Sequence, residues 1–223
     1  TRYCQTLLEP DRTTELVEEC LPLAVGELRA FEDLFDLQYS KADCLVLTGS
    51  VPKGVPATFY RTLLEKVKCP TIVDAQGEVL RESLGGLPTV IKPNRTELAR
   101  TVGRELTTTG QVVTAAEELR AEGAKWVVVS DGPRPVVVVG PIGVYVIEPS
   151  SAEKIVNPIG CGDALTAGIA IGLATEELNP VLQGTKLGVA CSLANLEQLL
   201  PCRLDPARVE ELRSPLDIEM WLA

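Results

Sequence analysis

The chain has 223 residues, of which 45% are apolar and 23% charged, the composition of an ordinary globular protein with room for a sizeable core. Its net charge of −10 repels phosphate backbones and anionic lipid, which argues against nucleic acid and membranes as partners but still allows a small anion held by local amides. Histidine is absent, which excludes His-based triads and most transition-metal sites.

TRYCQTLL and TTELVE predict two strands around the turn EPDR. Residues 24–39 carry Val25, Leu28, Phe31, Leu34 and Phe35 at helical spacing. CLVLTG predicts a short apolar strand running into the loop SVPKGVP, and TFYRTLLEKVK a helix. TIVDA predicts a strand and EVLRESLGG a helix closed by glycine. TVIK predicts a strand, and NRTELARTV a helix opened by Asn94, with Glu97 at the spacing of a capping box. GQVVTAAEELRAEG predicts a further helix, and WVVVS, PVVVV and VYVIE predict strands. Residues 160–174 and 179–199 read as helices, as does DPARVEELR, with Pro206 in its first turn. Strands alternating with helices, several of them continuous apolar runs, predict one α/β domain over residues 1–223 with a mostly parallel sheet covered on both faces.

The seven cysteines are widely spaced, with no CxxC, and do not suit a zinc site or a disulfide framework. They read as reduced, small core residues of a cytoplasmic protein. The longest apolar run, ALTAGIAIGLA, is too short to span a bilayer. Its GIAIG segment has the spacing of close helix packing. The chain opens on Thr1 directly in a strand-like segment, which reads as a fragment lacking its beginning.

In an α/β sheet, ligands gather at the carboxyl ends of strands, where loops enter helix N-termini. In PIGCGDA, Gly160 and Gly162 allow positive φ and close approach, and the helix behind them offers unpaired amides to an anion. Asp163 has two readings there: a helix cap, or a base that takes the proton of a hydroxyl attacking a phosphate. Neither the dinucleotide fingerprint nor a Walker A motif is present. In IKPNRTEL, Asn94 and Glu97 suit a capped helix or, with oxygen ligands and retained waters, a hydrated Mg²⁺. VVVSDGPRP reads as a strand and a tight turn at Gly132, and LTGSVPKGVP as a loop whose amides could face a ligand.

Together these loops, in this order, resemble the ribokinase-like sugar kinases of the phosphofructokinase-B family. NPIGCGD resembles the family's closing signature, D/N-T-x-G-A-G-D, and IKPNRTEL its N-x-x-E segment as found in the 1-phosphofructokinase and tagatose-6-phosphate kinase branch. LTGSVPKGVP resembles that branch's SGSLPPGVP, and VVVSDG its nucleotide-loop strand. The resemblance implies a three-layer α/β/α fold in which the N-terminal strands and most of the lid are missing, residues 1–20 being strands that return from the lid. It implies ATP-dependent, Mg²⁺-requiring phosphoryl transfer to a sugar phosphate, in a possible homodimer. Asp163 would be the general base, with Gly160, Cys161 and Gly162 as anion hole and Asn94 and Glu97 organising the metal. Lys92, Ser130, Gly132 and Asn195 would face the nucleotide, and Arg2 the sugar's own phosphate. Pro158, Cys161 and Pro135 depart from the family pattern, as does EQLLPCRL near the adenine side. The rival readings are a kinase of the same fold acting on a free sugar or nucleoside, and a non-catalytic nucleotide-binding protein.

Overall fold

The computed structural model describes residues 3–9, 12–18, 20–24, 26–152, 154–175 and 178–222. It opens with a hairpin of β1 (Cys4–Glu9) and β2 (Arg12–Val17), paired antiparallel from Cys4↔Val17 to Glu9↔Arg12. Helix α1 (Glu27–Gln38) follows. Then come β3 (Leu45–Thr48), α2 (Phe59–Leu64), β4 (Thr71–Asp74), α3 (Gly77–Ser83), β5 (Val90–Ile91), α4 (Arg95–Val102) and α5 (Thr109–Glu122). The chain ends with β6 (Trp126–Asp131), β7 (Arg134–Gly140), β8 (Gly143–Ile147), α6 (Cys161–Ala174), α7 (Pro180–Leu196), α8 (Pro206–Arg213) and β9 (Glu219–Met220).

Strands β3 to β9 form a seven-stranded sheet in chain order. Successive side chains leave a strand on opposite faces, so each strand feeds two cores. Val73, Ile91, Val127, Val129, Val137 and Val139 pack with α2, α3 and α5 on one face. Ile72, Val90, Val128, Val136, Val138 and Ile147 pack with α6, α7 and α8 on the other. The three-layer expectation holds, but the sheet is more evenly mixed than expected. The β3–β6 pairs are parallel, and the β6–β9 pairs antiparallel. Two-residue connections at Gly132–Pro133 and Pro141–Ile142 account for the β6–β7 and β7–β8 pairs, because a tight hairpin can join only antiparallel strands, while β9 returns to the β8 edge after α6, α7 and α8.

The stripe expected of α1 is present but poorly covered: no residue of the helix is buried, and Leu34 is 56% exposed. Phe31 meets Phe35 and Phe59 at ring-centroid distances of 6.5 and 5.8 Å. Val25 lies outside the described residues. The GIAIG reading holds in detail. A Cβ on Gly168 would lie 2.3 Å from the Gly188 Cα, and one on Gly172 would lie 2.5 Å from the Gly184 Cα. Two glycine pairs therefore let α6 and α7 touch backbone to backbone. This contact seats α6 against α7.

Candidate active site

Lys92, Asn94, Glu97, Ser130 and Gly132 lie at or just beyond the carboxyl ends of β5 and β6. Asp74 ends β4, and Lys92 follows β5, its amide donating to the Val73 carbonyl at 3.0 Å. Asn94 pairs with Ser130 in an isolated parallel bridge, and Gly132, with φ +61°, turns the chain just beyond. The first turn of α6 faces this rim.

Gly160 caps α6 in the left-handed conformation, at φ +84°. A Cβ there would meet Pro201 Cβ at 2.9 Å, so space as well as backbone conformation demands glycine. Gly162 corrects the expectation of two positive-φ glycines, because it lies inside the helix. Its want of a side chain has another consequence: a Cβ would stand 3.6 Å from Lys92 Nζ. The Cys161 amide donates to the Pro158 carbonyl at 3.4 Å, a long turn bond. The first-turn amides of Gly162 and Asp163 have no carbonyl partner within the helix. Asp163 makes no capping bond, is exposed, and has no hydrogen bond or ion pair among the described residues. Its carboxylate is thus open to solvent beside those amides.

Beneath this turn lies a charged cluster that the spacing of residues had not revealed. Lys92 is 3% exposed, and its Nζ stands 3.1 Å from Asp74 Oδ2. The Thr166 hydroxyl lies 3.0 Å from the same oxygen and 3.0 Å from the Gly162 carbonyl. A buried ammonium needs such a partner, and the pair places a cation directly under the amide turn. The available signal was TIVDA itself, an apolar strand ending in a carboxylate on the rim where ligands gather.

Asn94 and Glu97 form the expected capping box: the Glu97 amide donates to Asn94 Oδ1 at 2.9 Å, and the Asn94 amide to Glu97 Oε2 at 2.8 Å. Both also line a polar cavity of about 420 Å³ with Gln76, Arg100, Ser130 and Gly132. No group of three or more acidic or cysteine side chains able to hold a metal occurs among the described residues. The donor set therefore suits a hydrated Mg²⁺ that takes most of its ligands from water and phosphate, rather than an all-protein cage.

Asn195 departs from expectation. It is fully buried, and its amide is spent on protein. It donates to the Ile159 carbonyl at 2.8 Å and to Cys161 Sγ at 3.3 Å, and accepts from the Cys202 amide at 2.7 Å. It braces the glycine turn from behind and leaves no polar group for a nucleotide. Asn157 adds to this lacing, donating to the Leu199 carbonyl at 2.9 Å and accepting from the Ile159 amide at 3.0 Å. Arg2 lies outside the described residues.

A second, largely apolar cavity of about 490 Å³ shares Ser130 and Gly132 with the polar one and reaches Cys161 and Gly162. Ile155, Leu165, Val189 and Leu193 supply its greasy wall. The described cysteines are all free, as expected, but only Cys191 is buried. Burial pushes the Cys161 thiol up, as does the charge of Cys202, against the Asn195 amide, which lowers it. Burial and the charge of Asp163 raise Cys202, whose thiol donates to the Gly160 carbonyl at 3.6 Å. Both stay protonated at neutral pH and serve the turn as weak donors rather than as nucleophiles.

Known structures share this architecture. Phosphofructokinase-2 from Escherichia coli, solved with potassium, is 28% identical, superposes with a TM-score of 0.81, and is matched over 91% of this chain and 66% of its own. The same enzyme solved with fructose-6-phosphate gives a TM-score of 0.77 at 28% identity, over 91% and 65% of the two chains. A protein described as a possible 1-phosphofructokinase from Thermotoga maritima is 23% identical, with a TM-score of 0.86 over 100% and 71%, and supports the fold. The chain spans 66% of the length of the first E. coli structure. The family model for pfkB carbohydrate kinases matches residues 2–203. That match covers most of the chain, and the chain belongs to the pfkB family of carbohydrate kinases.

Proposed function

We propose that this chain carries the nucleotide-binding and catalytic part of an ATP-dependent sugar-phosphate kinase. The observation that carries the reading is Asp163, an exposed carboxylate with no partner among the described residues, on the first turn of α6 beside that turn's unpaired amides. Alone, an acid at an anion site is repulsive. It is useful where a hydroxyl must lose its proton while negative charge migrates on a phosphoryl group. Asp163 accepts that proton late in the transfer. The Gly162 and Asp163 amides, with the less well placed Gly160 and Cys161, stabilise the migrating charge by preorganised donation. Lys92 adds a cation from below, already oriented by Asp74.

The apolar cavity suits a nucleobase, and its junction at Ser130 and Gly132 suits the start of a phosphate chain. Mg²⁺, held through water near Asn94 and Glu97, would neutralise phosphate charge. The acceptor is a hexose phosphate. The motif forms favour fructose 1-phosphate or tagatose 6-phosphate, and the E. coli relative adds fructose 6-phosphate to the panel to be assayed.

Replacing Asp163 by Asn removes the base and keeps the shape. Phosphoryl transfer should fall by about 10²–10⁴ while ATP affinity changes little. Turnover equal to wild type would take the base role from Asp163. Transfer to a free sugar or nucleoside in preference to every hexose phosphate would instead favour the rival acceptor class.

A further inference from the structure

We infer that Thr166 is a positioning residue, whose hydroxyl sets the rotation of the Asp74 carboxylate and, through it, the place of the Lys92 ammonium beneath Gly162. Thr166 is 4% exposed on a helix face otherwise built of Ala164, Leu165 and Ile169, where an alanine or valine would pack at no polar cost. Its hydroxyl could be satisfied by the Gly162 carbonyl alone, as Thr185 is satisfied by the Val181 carbonyl at 2.7 Å. It nevertheless stands 3.0 Å from Asp74 Oδ2, and a carboxylate is the stronger acceptor for its single proton.

The terminal torsion of an aspartate is broad, so something outside the residue must choose its angle. Lys92 and Thr166 do so together, meeting Oδ2 from two sides at 3.1 and 3.0 Å. Oδ1 accepts no hydrogen bond among the described residues. Remove the hydroxyl, and the carboxylate turns to share both oxygens with Lys92. The ammonium is then drawn off the face of Gly162, where no Cβ keeps it away. The effect on chemistry is indirect and runs through Lys92.

The kinetic half of the test rests on the kinase reading. Thr166→Val should lower kcat roughly tenfold with KM for ATP within about threefold, because orientation rather than binding is lost. Thr166→Ser, which keeps the hydroxyl, should recover to within about twofold. In an Asp74→Asn background, Thr166→Val should add nothing, since the two act as one unit. Wild-type kcat in Thr166→Val, or equal loss in the serine variant, overturns the inference. A second readout needs no turnover. With isotope-labelled lysine, the Lys92 NMR resonance, assigned by its loss in Lys92→Met, should move in Thr166→Val and return in Thr166→Ser. A resonance that stays put overturns the inference even if the chain transfers no phosphate, and a wild type that transfers none counts against the kinase reading alone.

Discussion

At Asn195 a single amide ties together the turn before α6, the thiol of Cys161 and the backbone of Cys202. Truncation to alanine leaves the Ile159 carbonyl and the Cys202 amide, whose bonds to Asn195 are part-buried, without that partner, and each such loss costs up to about 2 kcal/mol. Asn195→Ala should therefore destabilise by roughly 2–4 kcal/mol in urea unfolding, with a fall in kcat as the turn loosens. A cost below about 1 kcal/mol would mean that Pro201 and the Asn157 bonds hold the turn unaided. The type of residue needed at the turn was legible in the sequence: glycines, then a carboxylate, at the mouth of a helix. What each polar residue touches was not. Asp74 and Thr166 are 92 positions apart, and no local spacing reports a contact between a strand end and a helix packed on the sheet. The family resemblance placed Asn195 on the nucleotide side, and only its burial and its bonds to Ile159, Cys161 and Cys202 show that it faces the protein instead.

Elements were easier to read than contacts, because their signals are local. The capping box of α4 and the helix over residues 161–174 follow directly from residue type and period. The extent of close packing does not. GIAIG was visible, but its partner glycines, Gly184 and Gly188, gain meaning only when α7 lies against α6. Gly168→Ala would drive a methyl into the Gly188 backbone, where nothing can yield without parting the helices. We expect a loss of about 3 kcal/mol or more in denaturant midpoint analysis. A change under about 1 kcal/mol would show that the helices can slide apart cheaply. At the other end of α7, Arg208 donates to both Glu197 oxygens at 2.9 and 2.8 Å, which joins α8 to the α7 C-terminus. The Arg208 guanidinium holds the Glu197 carboxyl below its ordinary value of 4.5. The stabilisation is thus complete above pH 4.5 and fades as pH falls through the depressed folded value. Arg208→Met should lose stability at neutral pH and converge on wild type in acid. Parallel stability curves across that window would refute the coupling.

The whole molecule divides its sheet by task. The parallel half, β3 to β6, brings loop after loop to one rim, because every crossover returns the chain to the same end. The antiparallel half, β7 to β9, closes the sheet and backs the wall of the apolar cavity through Val136. This division explains why alternation of strands and helices revealed the rim, while strands without intervening helices marked where the parallel order stops. On the proposed kinase reading it also separates binding from chemistry. The cavity depends on α6, α7 and the β6–β7 turn, whereas the carboxylate at Asp163 is an addition at its edge. Ligand linkage can test this without any acceptor present. ATP with Mg²⁺ at about 100 times its dissociation constant should stabilise the fold by about 2.7 kcal/mol. For a chain of this size that is a rise of roughly 5–11 °C in Tm. The same rise should appear in Asp163→Asn, since the base does not hold the donor. A rise in wild type that vanishes in Asp163→Asn would make the carboxylate a binding group rather than a base. No rise in either, up to millimolar nucleotide, would mean that the cavity does not take the donor, and the kinase reading would lose its first substrate.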